Sequence, residues 1–314
     1  MRNTSPKNMK LVEVGLRDGL QSVSDFIPTE QKLAILDGML ESGFRTIEIT
    51  SFAHPKVLPQ FSDAKEMISS APRVDGVTYR ALAPNLKGVQ LAAETEIDEI
   101  TMVLPVDPGM AQMNQNSTPE RLLEEFEKAV EIAHSAGKPI IAGIATAFFA
   151  PCRGEVPQND LHRFIESTVR AGADAIYLAG TTGMETPPEF AEALDHVTDL
   201  YPDLPVGVHL HNRNGMGLLN ALTSYQHGAD WIEASFGGLG GDMWFPGDPS
   251  VLGNLPMEDL LNALHAHSIP TGINLDTYLK VVRAASKITG TPSYSFIERG
   301  GTREELATAS WPTS

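Results

Sequence analysis

Only one cysteine, Cys152, stands among the 314 residues, so no disulfide forms within the chain and a small cross-linked scaffold is excluded. A lone thiol suits a reducing compartment, and the cytoplasm is the expected location. Positive charge is scarce too. Lys and Arg number 23 against 40 Asp and Glu, a formal net charge of −17, which argues against nucleic acid or an anionic membrane as the main partner. An acidic protein that handles an anionic small molecule must concentrate its few cations, or a metal, locally. No apolar run is long enough to span a bilayer, and Met1 to Lys10 lack the apolar core of a secretion signal; residues 1–9 read as a flexible tail. No Pro-, Ser- or Gly-rich linker divides the middle, so one large domain is expected.

What is present is alternation. Short apolar or β-branched runs at 11–14, 46–50, 78–82, 100–104, 140–145, 175–178, 206–210 and 231–234 read as strands. Between them, stretches such as 29–42, 119–136, 158–171, 187–200 and 215–227 repeat apolar residues every three or four positions. Thr29-Glu30, Thr118-Pro119-Glu120 and Thr186-Pro187-Pro188 read as helix starts, while Gly43, Gly137, Gly172 and Gly228 read as helix ends. Eight strand–helix units predict a single (β/α)8 TIM barrel over residues 10–274, with a C-terminal helix and tail over 275–314; a doubly wound open sheet is the competing arrangement. Residues 298–303 read as a lid or as an unstructured end, the composition favouring the end.

A barrel gathers chemistry at the C-terminal ends of its strands, and the sequence places polar groups there. His209 and His211 close the seventh strand two residues apart, so both side chains share one face; they read as a metal site or as a strand-end surface pair. With Asp18 after the first strand and Asn254 beyond the eighth, they make a nitrogen and oxygen ligand set without thiolate, which suits Mg2+ or Mn2+ better than a closed structural zinc. Such an ion prepares a hydroxy acid for retro-aldol or retro-Claisen cleavage. Arg17 could neutralise a developing enolate oxygen or form a structural ion pair, and Glu48 could support Arg17 or a ligand water. No lysine falls at a strand's end, which disfavours a Schiff-base aldolase. Lys56, Arg80, Lys87, Arg153 and Arg213 could meet phosphates at the barrel mouth or be plain surface charges.

Three segments make this pattern specific: Val12-Glu13-Val14-Gly15-Leu16-Arg17-Asp18-Gly19-Leu20-Gln21, Ile47-Glu48-Ile49-Thr50-Ser51-Phe52-Ala53-His54-Pro55-Lys56 with Pro59-Gln60, and Pro84-Asn85-Leu86-Lys87-Gly88. In them the chain resembles the hydroxymethylglutaryl-CoA lyase family, metal-dependent barrel enzymes related to isopropylmalate synthase, over roughly residues 12–289. The resemblance implies that Asp18, His209, His211 and Asn254 bind a divalent cation, that Arg17 stabilises an enolate and that Gln21 helps hold substrate. It also implies cleavage of hydroxymethylglutaryl-CoA, or a related branched 3-hydroxyacyl-CoA, to acetyl-CoA and a keto acid; a homo-oligomer, a dimer, is expected because dimers are common for such enzymes. The chain departs from that pattern at four places. Asp242 stands where the lyases carry a loop cysteine, and it is the candidate for the vacated proton-transfer role. The loop from Gly238 to Asn254 is longer, Asn212-Arg213-Asn214-Gly215 replaces Asp-Thr-Tyr-Gly, and Gly180 occupies an Asp position. These departures keep open a related aldolase or acyl-condensing enzyme, and a non-catalytic acyl-CoA or metal-binding barrel.

Overall fold

The computed structural model describes residues 8–241 and 253–312. Eight strands pair in parallel: β1 (Lys10–Glu13), β2 (Thr46–Ser51), β3 (Thr78–Ala83), β4 (Glu99–Pro105), β5 (Ile140–Ala145), β6 (Ala175–Gly180), β7 (Val206–Leu210) and β8 (Trp231–Ala234). β1 is hydrogen-bonded to both β2 and β8, so the sheet closes into a barrel. The (β/α)8 barrel expected from the alternation is therefore the observed architecture, and the open sheet is excluded. Helices α1 (Thr29–Ser42), α2 (Ala64–Ser70), α3 (Leu86–Ala93), α4 (Pro108–Gln115), α5 (Pro119–Ser135), α6 (Gln158–Ala171), α7 (Pro187–Leu200), α8 (Gly217–Gln226), α9 (Met257–Ala266) and α10 (Leu275–Thr289) surround it.

Strand alternation sorts the side chains into two cores. Ile100, Met102 and Leu104, or Val206, Val208 and Leu210, face outward into the large layer between strands and helices. Each such buried Ile, Leu or Val contributes roughly 1.5–3 kcal/mol. Val12, Val14, Ile141, Ala175, Tyr177, Ala179 and Trp231 form a separate cluster inside the barrel. Small residues make room there for large ones: a Cβ on Gly207 would lie 2.0 Å from the Trp231 ring, and one on Gly143 would lie 2.4 Å from the Tyr177 hydroxyl.

Local signals account for most boundaries. Thr118 caps α5 by accepting from the Arg121 N–H, and the Glu189 carboxylate accepts from the Thr186 N–H at the start of α7. Gly43 ends α1 at φ 104°, a conformation that a Cβ would strain. One start differs from expectation. Pro28, not Thr29, occupies the N-cap of α1, because the Thr29 hydroxyl donates instead to Asp63, 2.9 Å away, which also pairs with the buried Lys32.

The chain ends are tied down more than composition implied. Met9 is buried and its N–H donates to the Pro270 carbonyl at 3.0 Å, while residues 1–7 lie outside the described residues. α10 packs against α1, with Val281 Cγ2 2.7 Å from where a Cβ on Gly38 would sit, so this helix completes the ring around the barrel. Segment 298–303, which composition favoured as unstructured, lies instead across two short helices, α11 (Phe296–Gly300) and α12 (Arg303–Thr308). The buried Asp259 carboxylate explains the first of these: it accepts from the Ser295 hydroxyl at 2.7 Å and from the Phe296 and Ile297 N–H groups.

Two further buried carboxyls hold the segment after β8. Glu13 accepts from the N–H groups of Gly15 (2.7 Å) and Phe236 (3.1 Å) and from the Tyr278 hydroxyl. Glu258 accepts from the Gly237 N–H at 3.1 Å and from the Ser293 hydroxyl. Burial pushes Glu13 up to about 7 against the pull of its three hydrogen bonds, and pushes Glu258 up to about 8.

Candidate metal and catalytic site

The first strand does not run straight into its helix. Residues Gly15–Gly19 form one π-helical turn, with the N–H groups of Arg17 and Asp18 both donating to the Val14 carbonyl, at 3.0 and 2.7 Å. Such single turns are frequent at functional sites. Here the turn solves a geometric problem, since strand alternation would have sent Arg17 and Asp18 to opposite faces. Both side chains instead point to the C-terminal mouth of the barrel, where Arg17 Nη1 donates to Asp18 Oδ1 and Arg17 Nε donates to Glu48 Oε2.

His209 and His211 rise from β7 on the same inner face, their rings 5.0 Å apart and crossed at 80°. One potential ligand atom each from Asp18, His209 and His211 lies within 4.8 Å of the others, and all three residues are buried. Each imidazole is anchored through Nδ1: His209 to Glu233 Oε2 at 3.1 Å, and His211 to the Gly180 carbonyl at 3.2 Å. A proton held at Nδ1 leaves the Nε2 lone pair free for a cation.

Asn254 reaches this centre from far along the chain. It forms a β-bridge with His211, and the Leu255 N–H donates to the Leu210 carbonyl at 2.8 Å, so residues 253–255 lie against the end of β7. The amide Nδ2 donates to Asp18 Oδ2 at 2.5 Å and to the Leu239 carbonyl at 2.7 Å. Gly240, at φ 118°, permits this closeness: its Cβ would lie 2.1 Å from Asn254 Nδ2 and 2.5 Å from Asp18 Oδ2. Gln21 Nε2 donates to the Gly241 carbonyl at 3.1 Å, tying the first loop to the last.

The electrostatics favour a charged, acceptor-rich centre. Burial alone would push the Asp18 carboxyl up, but Arg17 and the two histidines outweigh it and hold the group well below the usual carboxylate range. Burial would lower the Arg17 guanidinium, yet Glu48 and Asp18 raise it above its ordinary value. Glu48 itself is raised, by burial and by nearby Glu233, despite Arg17. The fit to a divalent ion shows in the polar atoms left over. Among the described residues, the buried atoms His211 Nε2 and Asn254 Oδ1 have no hydrogen-bond partner, and an unpaired buried acceptor is costly unless something occupies its lone pair. Two imidazoles, a carboxylate and an amide oxygen suit a hard or borderline cation with coordination positions to spare.

The structure thus brings together Arg17, Asp18, Gln21, Glu48, His209, His211 and Asn254. Asp242 lies outside the described residues. Of the cations considered for phosphate contact, Arg80 is corrected: it is buried inside the barrel, paired with Glu99 and Glu233, because alternation turns it inward on β3. Arg153 is paired with Asp160 at 2.9 Å. Asn212, a departure from the lyase pattern, accepts from the Gly217 N–H at 2.9 Å and so helps to start α8. Above Gly180, Glu185 Oε2 lies 3.1 Å from where a Cβ would be, and Glu185 Oε1 accepts from the N–H and hydroxyl of Thr182. Sequence reasoning missed Glu185 and Glu233, and it gave Arg80 a different role. The inward alternation of β3 and β8 was the available signal for Arg80 and Glu233; Glu185 had none.

Comparison with known proteins adds a consistent set of relatives. Residues 8–284 match the HMGL-like family model. The chain is 32% identical over 277 residues to the mitochondrial hydroxymethylglutaryl-CoA lyase of Bos taurus, covering 88% of this chain and 84% of that one. It is also 32% identical over 283 residues to the cytoplasmic 3-hydroxy-3-methylglutaryl-CoA lyase of Danio rerio, covering 90% and 83%. Among solved structures it resembles an HMG-CoA lyase from Acinetobacter baumannii in complex with coenzyme A and 3-methylmalate, with a TM-score of 0.91, 31% identity and full coverage of both chains. The hydroxymethylglutaryl-CoA lyase of Pseudomonas aeruginosa gives a TM-score of 0.88 at 28% identity, covering 97% of this chain and 99% of that one.

Proposed function

The chain belongs to the HMGL-like family, and from that premise we propose that it is a divalent-metal-dependent carbon–carbon lyase. Its substrate is hydroxymethylglutaryl-CoA or a related branched 3-hydroxyacyl-CoA, and its products are acetyl-CoA and a keto acid. The observation that carries the reading is the buried meeting of Asp18, His209 and His211 beside Arg17 at the C-terminal mouth of the barrel.

In this reading Asp18, His209, His211 and Asn254 hold the cation, Mg2+ or Mn2+. Bound there, it would supply Lewis acidity that orients the substrate's hydroxyl and carboxylate and lowers the hydroxyl pKa. The protein's own groups divide the remaining work. Glu48 and Asp18 fix the Arg17 guanidinium from two sides, so little rotamer freedom is left to lose when its remaining donors meet substrate. As the bond between C2 and C3 breaks, the hydroxyl proton passes to a nearby base, the hydroxyl oxygen becomes a ketone and the electron pair of the broken bond passes to the thioester enolate. Arg17 stabilises that oxyanion, a charge that appears only along the reaction path. Protonation at C2 then releases acetyl-CoA, and Asp242 is the candidate donor; Gln21 helps to hold substrate at the rim. The single exposed Cys152 suits a reducing compartment, and we place the enzyme in the cytoplasm as a homodimer.

The test is direct. Metal-stripped protein is given hydroxymethylglutaryl-CoA with and without Mg2+ or Mn2+, and products are read by mass spectrometry. Acetyl-CoA and acetoacetate should appear only with metal, and Asp18→Ala should abolish them while leaving the circular dichroism spectrum unchanged. Full turnover by Asp18→Ala would end the assignment. Metal binding without product would move the substrate to another 3-hydroxyacyl thioester or hydroxy acid. If Asp242 donates the proton, Asp242→Ala should slow turnover by about 10²-fold or more.

A further inference from the structure

The barrel interior below the site holds a connected run of charged groups that the reaction as described does not use. Glu233 lies on β8 directly beside His209 in register. Its two oxygens have separate partners. Oε2 faces His209 Nδ1 at 3.1 Å, while Oε1 accepts from Trp231 Nε1 at 2.9 Å and from Arg80 Nη1 at 3.1 Å. Arg80 belongs to β3, so it reaches β8 across the barrel, with β1 and β2 between them around the wall. Its guanidinium stacks over Trp231, 5.0 Å from the ring centroid, and its Nε donates to Glu99 Oε2 at 2.6 Å. Glu99, Arg80 and Trp231 line a cavity of about 400 Å³ that also borders Lys10 and Asp230, away from the metal site.

We propose that Glu233 is a positioning residue for His209, and that Arg80 and Trp231 fix its aim. The proposal rests on His209 being a metal ligand. A carboxylate free to rotate could offer either oxygen, or neither, to the imidazole. Two donors on Oε1 remove that freedom and leave Oε2 in place to accept the Nδ1 proton of His209. His209 is then held as the tautomer that presents the Nε2 lone pair toward Asp18 and His211. Gly207 is part of the device, because only a residue without a Cβ leaves room for the Trp231 indole at that level. Arg80 serves two carboxylates from separate nitrogens of one rigid plane: its Nη1 donates to Glu233 while its Nε is anchored by Glu99.

Glu233→Gln tests this with little change in shape. Its amide oxygen would stay with Arg80 and Trp231, which are donors only, so its NH2 would turn to His209 and displace the proton from Nδ1 to Nε2. In metal-free protein, imidazole 15N shifts should report His209 protonated at Nδ1 in the parent and at Nε2 in Glu233→Gln. Mn2+ titrations followed by electron paramagnetic resonance should then show affinity lowered about 10–100-fold. Arg80→Lys should weaken Mn2+ binding less than Glu233→Gln, and Glu233→Asp should keep the parent tautomer. An unchanged His209 tautomer with unchanged Mn2+ affinity in Glu233→Gln would overturn the proposal. Absence of Mn2+ binding by the parent would instead overturn the metal-site reading, and the tautomer comparison would still decide whether Glu233 sets the imidazole.

Discussion

At the scale of single residues, the site depends on where side chains are absent as much as on where they are present. Gly240 lets the last loop touch Asp18 and Asn254, and Gly207 and Gly143 give Trp231 and Tyr177 the space to fill the barrel. Gly207→Ala places a methyl 2.0 Å from the indole, so the ring must move. The expected loss is about 1–3 kcal/mol, read from urea unfolding, and adding Trp231→Leu should recover part of it. Parent stability in the single variant would mean that the indole does not fill this layer. The ligand residues Asp18, His209 and His211 were legible because each follows a strand pattern directly. Glu233 was not, since its role depends on Arg80, 153 residues away in sequence.

Among the elements, the π turn at Gly15–Gly19 and the capped C-terminal helices are the features that pattern reading could not supply. A run such as Gly-Leu-Arg-Asp-Gly has no hydrophobic period to read; the turn exists because the Val14 carbonyl accepts from three successive N–H groups. The C-terminal segment is similar. It is polar and has few apolar residues, yet α11 forms because a buried carboxylate on α9 meets its first turn. Asp259→Ala should therefore release that segment. Hydrogen–deuterium exchange should speed up across residues 295–308 while β4 and β5 stay protected. Uniform exchange in parent and variant would show that apolar contacts hold α11 without the carboxylate.

For the whole molecule, stability depends on carboxyls that the fold keeps from ionising. Glu13 and Glu258 have folded pKa values of about 7 and about 8, raised from 4.5. Their contribution is fully present below pH 4.5 and is lost as pH rises through the folded values, because the unfolded chain ionises first. The metal-free protein should lose stability from about pH 5 to pH 8, at about 1.4 kcal/mol per pH unit for each group still held neutral. The net charge of −17 adds self-repulsion of the same sign, but 0.5 M salt screens exposed charges and leaves buried ones little affected. A pH slope that persists in salt and flattens over pH 4.5–7 in Glu13→Gln is the expected result. That substitution keeps Oε1 for Gly15 and Phe236 and offers its NH2 to Tyr278, so a collapse of the fold, or an undiminished slope, would refute the account.

By itself the sequence determined the alternation of strands and helices and the position of its chemistry, while closure into a barrel came with the tertiary structure. Strand and helix periods are local, turn residues punctuate them, and a residue at a strand's end keeps that address however the sheet closes. Asp18, His209, His211, Arg17 and Glu48 could all be named on that basis. The tertiary structure alone decided the partnerships: Asn254 against β7, Arg80 across the barrel to Glu233, and Glu185 in the space above Gly180. The physical reason is that these contacts are set by ring closure and by inward-facing register, which bring distant strands within hydrogen-bond reach and leave no periodic trace along the chain.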